Sequence, residues 1–283
     1  INQHQIVTGA DNIFEGAIVP VSLPGAVLAN GMKMKPAKLR GVESFGMLCS
    51  EVELGVAEEA AGIWLLPETV PLGVDFIEYA KLKDAVLDIS ILPNRGDCQS
   101  IYGMARDISV ILNKPLKQPE CAIKEINEDW SFAIQVKDIE KCPYYTARYI
   151  KNVQHKETPL WMNQRLQVSG IRSISLLVDI TNYVLLELGQ PLHAFDKNML
   201  VNNSIIVRTA DENEEFYALD EEKRNLEKEA LLICDGEKPV ALAGIMGGKN
   251  SEISDNSSEV LLESAFFHPS TVRRTATKLN LRT

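Results

Sequence analysis

The 283 residues contain only five cysteines, Cys49, Cys98, Cys121, Cys142 and Cys234, and four histidines. The cysteines are odd in number and irregularly spaced, with no Cys-x-x-Cys pair and no histidine at ligand spacing. That pattern excludes a disulfide-stapled scaffold and a zinc-ribbon site, and it reads as reduced thiols in a cytoplasmic protein. Long apolar runs are missing as well: the greasiest stretch, Ile174 to Leu188, is broken by Asp179, Asn182 and Glu187, so no segment reads as a membrane span. The opening Ile-Asn-Gln-His-Gln has neither a basic n-region nor an initiator Met, which reads as an internal fragment without a secretory signal. Cations are in deficit, 29 Lys+Arg against 39 Asp+Glu for a net charge of −10. A protein of that sign does not grip nucleic acid over its whole surface, so any RNA contact is a local patch. A phosphate-cradling loop, a dinucleotide fingerprint and a nucleophile elbow are also lacking.

What is present is ordinary globular composition, 45% hydrophobic and 24% charged, over a length that suits about two domains. In the first 80 residues glycines at 9, 16, 25, 31, 41, 46, 55, 62 and 73 separate short apolar runs, the rhythm of a small all-β barrel or sandwich. Val19 to Leu28 reads as two strands about a Pro24-Gly25 turn, and Asp84 to Ile91 as a further strand. Arg95 and Asp97 read as turn and cap, with Asp97 opening a helix whose stripe is Ile101, Met104, Ala105, Ile108 and Leu112. Pro115 and Pro119 mark a linker. Beyond it the pattern turns to mixed α+β: strands at Phe132 to Lys137, Tyr144 to Ile150, Ser204 to Thr209, Ala230 to Cys234, Val240 to Ala243 and Glu259 to Ala265. Helices are expected from Pro159 as N1 residue after a Thr158 cap, from Asp179 to Leu188, and from Pro269. Asp211 to Glu229 holds nine acids against three bases and reads as a solvated hairpin or loop.

Two acid-free clusters could contact phosphates: Lys33, Lys35, Lys38 and Arg40, and Arg273, Arg274, Lys278 and Arg282. Four further features carry candidate chemistry, each beside a plainer reading. His193, at a turn after a helix, is either a hydrogen-bonded core residue or a group that orients water or substrate. Glu263 lies in an apolar run; it either faces outward on an edge strand or accepts a ligand hydroxyl or amine, because a buried carboxylate needs a partner. Gly244, Gly247 and Gly248 make either a tight turn or a place where backbone comes close to a ligand. Thr181 and Asn182 offer a hydroxyl and an amide ahead of His193, and alone would be cap or surface residues.

Four stretches then resemble one family. Leu39-Arg-Gly-Val-Glu-Ser-Phe-Gly-Met-Leu-Cys-Ser-Glu51, Leu87-Asp-Ile-Ser-Ile-Leu-Pro-Asn-Arg-Gly-Asp-Cys98, Val178-Asp-Ile-Thr-Asn-Tyr-Val184 with Gly189-Gln-Pro-Leu-His-Ala-Phe-Asp196, and Leu242-Ala-Gly-Ile-Met-Gly-Gly248 are similar to the N-terminal half of bacterial phenylalanyl-tRNA synthetase β subunits. The resemblance implies an α+β multidomain chain: an oligonucleotide-binding-type β-barrel for tRNA at 1–82, truncated at its start; the second half of a discontinuous domain with a linker at 83–118; and a B3/B4 α+β editing module at 119–283. It also implies hydrolytic editing of Tyr-tRNA(Phe), because a hydrophobic pocket rejects one extra hydroxyl only weakly and a second pocket must select it.

Matching the family's motifs, His193, Asn182, Thr181 and Glu263 become the catalytic set, Gly244, Gly247 and Gly248 the substrate-binding backbone, and Lys33, Lys35, Lys38 and Arg40 the RNA contacts. The implied partners are tRNA(Phe) and an α subunit in an α2β2 assembly, with neither DNA nor membrane. ATP and Mg2+ serve the full synthetase, and no cofactor or metal is expected on this segment. Where the family reads Asn-Asn, this chain has Leu176-Leu177, which leaves open a non-catalytic RNA-binding and assembly scaffold with a vestigial pocket.

Overall fold

The computed structural model describes residues 3–57, 59–83, 85–126 and 130–281. The chain forms two compact units, Ile1–Val86 and Leu87–Thr283.

The first unit is built from short extended pieces. Strand β1 (Val21–Ser22) pairs antiparallel with β4 (Met47–Leu48), and β2 (Ala37–Leu39) with β3 (Val42–Ser44). A one-turn helix, α1 (Phe76–Tyr79), is capped by the Asp75 carboxylate and sets the Phe76 ring edge-on to Trp64 at 5.4 Å. Pro24-Gly25 does make a turn, with Ala26 N–H donating to Leu23 O at 3.0 Å. Its arms do not pair with each other, however: β1 goes to β4, while 25–28 bonds to 32–34. Two- and three-residue ladders of this kind form no closed barrel among the described residues.

In the second unit, α2 (Ile101–Ile111) is capped by Ser100, whose Oγ accepts from Gly103 N at 3.0 Å, and not by Asp97. Asp97 instead receives two hydrogen bonds from the Arg95 guanidinium, 3.0 and 2.9 Å, because an exposed carboxylate two residues from an arginine finds it more readily than a backbone N–H. Among its described residues, 85–91, the expected strand before it forms no ladder; Asp84 lies outside the described residues, and Val86 and Leu87 are exposed.

Two sheets follow. β6 (Tyr144–Ile150), β14 (Val260–Phe266) and β7 (Leu192–Asp196) form an antiparallel sheet with β14 in the centre. The second sheet runs β13 (Met246–Gly247), β12 (Pro239–Leu242), β11 (Leu231–Cys234), β8 (Ser204–Thr209) and β5 (Ala133–Val136), antiparallel except for the β8–β5 pair. Strand alternation sorts their side chains. Ile205, Val207, Leu231 and Ile233 meet Phe195, Leu261, Tyr145 and Ala147 of the smaller sheet in one core. Ile206, Leu232, Cys234 and Leu242 point to the other side, against Phe216 and Leu226. These last two belong to β9 (Glu214–Tyr217) and β10 (Lys223–Leu226), so the acidic run is a hairpin with a buried underside.

Helix α3 (Leu160–Val168) begins one residue after Pro159, which occupies the cap position; Thr158 donates to Asp179 rather than capping. Helix α4 (Leu176–Leu188) starts a turn earlier than Asp179 and packs on α3, α2 and β7. Arg165 joins α3 to α4, donating to the Tyr183 hydroxyl at 2.6 Å and lying 5.3 Å from the Trp161 ring centre. Pro269 opens α5 (Pro269–Lys278) as expected.

Candidate functional site

The site grows from the register of the smaller sheet. On β14, Leu261 enters the core, so Glu263, two residues on, points the same way. β14 is the central strand, and Glu263 is only 5% exposed, which overturns the outward-facing, edge-strand reading. Directly opposite stands His193, which lies within strand β7 and not in a turn. From the other flank the Tyr145 hydroxyl donates to Glu263 Oε2 at 2.7 Å.

Electrostatics follow from burial. With no cation beside it, the Glu263 carboxyl is pushed up to about 7 by desolvation, against which the Tyr145 hydrogen bond pulls it down. Tyr145 is held well above its usual range by burial and by that carboxylate. Burial lowers His193 to about 4, so its imidazole is neutral at neutral pH. The ring stands edge-on to Phe195 at 4.5 Å. Nearby Cys142, buried and also facing Glu263's charge, is raised to about 11 and stays a thiol.

Of the three glycines, Gly247 lies against His193. A Cβ on Gly247 would lie 2.7 Å from His193 Cε1 and 2.9 Å from Nε2, so only bare backbone fits over the imidazole. Gly247 O accepts from Leu219 N at 3.0 Å and Gly248 N donates to Val240 O at 2.7 Å, which fixes the strand at that height. Gly244 makes the tight turn between β12 and β13 at φ +68°, but its neighbours are Phe267 and Val272 and not His193. The loop is thus a tight turn at Gly244 and brings bare backbone against the His193 ring at Gly247.

Thr181 and Asn182 ride on α4, which packs against β7. The Thr181 hydroxyl donates to Val178 O of its own helix at 2.7 Å, and no hydrogen bond joins either residue to His193 or Glu263. α4 is anchored by Asp179, fully buried, which accepts from Thr158, from Ser173 and, at 3.0 Å, from Ile174 N. Leu176 and Leu177 lie half-buried in the first turn of α4.

The basic cluster is a separate feature of the first unit. Lys33, Lys35, Lys38 and Arg40 are all exposed, Lys38 on β2 and Arg40 in the β2–β3 turn. At the other end Arg273 and Arg274 are exposed, Lys278 is paired with Glu227, and Arg282 lies outside the described residues. Among the described residues no three His, Cys, Asp or Glu side chains gather as metal ligands, and no helix is long and apolar enough to cross a membrane.

Tyr145 is the site residue that sequence reasoning missed. The signal was available: a carboxylate in an apolar strand needs a donor, and the alternating run 144–150 carries tyrosines at 145 and 149 on its inward face.

Residues 141–283 match the B3/4 domain family and residues 1–75 a putative tRNA binding domain. Relatives include the phenylalanine–tRNA ligase beta subunit of Syntrophus aciditrophicus, 51% identical over 98% of this chain and 35% of that protein. The corresponding subunit of Desulfotalea psychrophila is 48% identical over 98% of this chain and 34% of its own length. The chain therefore spans about a third of the length of the curated relatives it matches. An N-terminal fragment of the phenylalanyl-tRNA synthetase beta-subunit from Pyrococcus horikoshii overlaps with a TM-score of 0.39 at 16% identity, covering 66% of this chain and 58% of that one, too slight a likeness to establish a shared fold. With the B3/4 match extending over just more than half of its residues, this chain belongs to the B3/4 domain family.

Proposed function

We propose that the chain contributes tRNA binding and hydrolytic editing of mischarged Tyr-tRNA(Phe) to a cytoplasmic phenylalanine–tRNA ligase, as part of its β subunit. In this reading ATP- and Mg2+-dependent charging belongs to an α subunit within an α2β2 assembly. Residues 1–82 act as a tRNA-binding unit of the oligonucleotide-binding-barrel type, 83–118 as half of a discontinuous domain, and 119–283 as the editing module.

The observation that carries the reading is Glu263, a buried carboxylate without a cation, beside a neutral His193 and beneath a bare Gly247 backbone. A buried carboxylate with one oxygen held by Tyr145 and the other left without a donor favours a ligand that brings a hydroxyl and penalises one that does not. The phenol of a tyrosyl ester supplies it, and a phenylalanyl ester leaves the acceptor bare. Hydrolysis then needs only a placed water. Its oxygen adds to the ester carbonyl carbon, the bond to the terminal ribose oxygen breaks, and that oxygen leaves with a proton as the free hydroxyl. His193, held neutral, and Asn182 orient water and ester by hydrogen bonds; Thr181 and the Gly244, Gly247 and Gly248 backbone shape the wall. No covalent nucleophile is required.

Deacylation of Tyr-tRNA(Phe) by the complete synthetase tests this. His193→Ala is expected to slow it roughly 100-fold, and Glu263→Ala to remove the preference for tyrosyl over phenylalanyl ester. Unchanged rates in both variants would refute the assignment. Leu176 and Leu177, apolar in the first turn of α4, favour a second reading: a tRNA-binding scaffold whose pocket no longer hydrolyses. Steady tRNA affinity with deacylation at background in the unaltered enzyme is its signature.

A further inference from the structure

Tyr145 approaches Glu263 from the strand opposite His193. Across β14, Glu263 faces His193 on β7 and Ala147 on β6, and Tyr145 reaches it along the diagonal. Its hydroxyl donates to Oε2 at 2.7 Å. Glu263 Oε1 has no hydrogen bond among the described residues, yet it is not one of the sealed, partnerless polar atoms, which are confined to Ser22, Asn163, Gln164 and Asn250. One carboxyl oxygen is therefore held, and the other, without a donor, keeps a trace of accessible surface. The titratable groups that face Glu263 are Tyr145 and Cys142 on one side and His193 on the other; none of them is a cation at neutral pH.

We propose that Tyr145 is a positioning residue that sets specificity: by donating to Oε2 it fixes the Glu263 carboxyl with Oε1 turned to the pocket, as acceptor for the hydroxyl of a phenol-bearing aminoacyl ester. The proposal rests on the editing reading. Two physical effects support it. The terminal torsion of a glutamate is broad, so a carboxyl without a second anchor turns freely and presents no fixed lone pair. A buried carboxyl without a cation also drifts to the neutral acid, which can itself donate and so no longer demands a donor. The Tyr145 O–H opposes that drift by favouring the ionised, acceptor-only form.

Tyr145→Phe keeps the ring and removes the donor. In this chain, labelled with 13C-glutamate and with the Glu263 signal assigned by its loss in Glu263→Gln, the Glu263 midpoint is expected to move upward from about 7; an unmoved midpoint overturns the proposal. In the complete synthetase, the ratio of tyrosyl- to phenylalanyl-tRNA(Phe) deacylation is expected to fall roughly tenfold, with the acidic limb of the tyrosyl profile moved to higher pH. Equal slowing of both esters with an unmoved profile marks a packing role and overturns it. Adding Tyr145→Phe to Glu263→Gln is expected to cost nothing more, whereas additive losses would show that Tyr145 does not act through Glu263. If the phenylalanine variant does not fold, fluorotyrosine at position 145, a stronger donor of nearly the same size, is expected to move the midpoint down, and no movement counts against the proposal. Should the unaltered enzyme hydrolyse neither ester, the editing reading fails, and the carboxyl titration still decides the role of Tyr145.

Discussion

A single absent methyl group leaves room for the His193 ring against the backbone of Gly247. Alanine at position 247 would place its Cβ within 2.7 Å of the His193 ring, closer than real contacts allow, while the neighbouring backbone is tied to Leu219 on one side. The imidazole must therefore yield. Gly247→Ala is expected to depress tyrosyl-ester hydrolysis about as much as His193→Ala, with a stability cost of about 1–3 kcal/mol from overpacking; hydrolysis at the unaltered rate would show that the imidazole position does not matter. Glu263 carries a second consequence. Its carboxyl titrates near 7 when folded against an ordinary 4.5, so the folded state holds an extra proton between those values. That contribution to stability is complete below pH 4.5 and is lost as pH rises through 7. Burial of His193, lowered to about 4 from 6.5, works the other way, since stability falls as pH drops through that interval. Comparing Glu263→Gln with the unaltered chain isolates the carboxyl: denaturant melts are expected to shift in the variant's favour by roughly 3 kcal/mol between pH 4.5 and pH 8. The importance of Glu263 could be read from an acid among Val260, Leu261, Leu262 and Ala265, whereas its donor could be narrowed only to the inward tyrosines 145 and 149, because which of them reaches it depends on register and not on sequence distance.

At the scale of elements, β6 was legible because period two over seven residues admits little else, and β14 because a short apolar run with one acid reads as a buried strand. Caps were less so. Asp97 and Thr158 each look like an N-cap, yet one is taken by Arg95 and the other by Asp179, since a short polar side chain joins whichever partner the tertiary fold brings near. The ladder of β1 with β4 was hidden for a similar reason: two-residue strands carry no period to read. Asp179 shows what such pairing achieves. It draws Thr158, Ser173 and the Ile174 N–H onto the first turn of α4, so the helix that carries Thr181 and Asn182 is located by one carboxylate. Asp179→Ala leaves buried donors unmatched and is expected to destabilise the chain by about 3 kcal/mol in guanidinium unfolding, with a parallel loss of hydrolysis. A change below about 0.5 kcal/mol would mean that α4 is held by its apolar contacts alone.

For the whole molecule, a net charge of −10 sits beside local basic patches. The acids of 211–229 are gathered on one hairpin, where Arg208, Lys223, Arg224 and Lys278 pair with several of them, whereas Lys33, Lys35, Lys38 and Arg40 stand exposed on the first unit. If those cations meet phosphates, replacing Lys33, Lys35 and Lys38 by glutamine is expected to flatten the dependence of log affinity for tRNA on log salt by about 2 to 3. An unchanged slope would remove them from the RNA interface. The five cysteines, finally, have a practical consequence. Cys49, Cys98, Cys142 and Cys234 are buried with their thiols pushed up, and Cys121 alone is exposed. A maleimide dye at neutral pH therefore attaches at one place without any mutagenesis. The native chain is thus ready for single-site fluorescence, and binding of a nucleic acid to it can be followed by anisotropy from a reporter far in sequence from both His193 and the Lys33–Arg40 cluster.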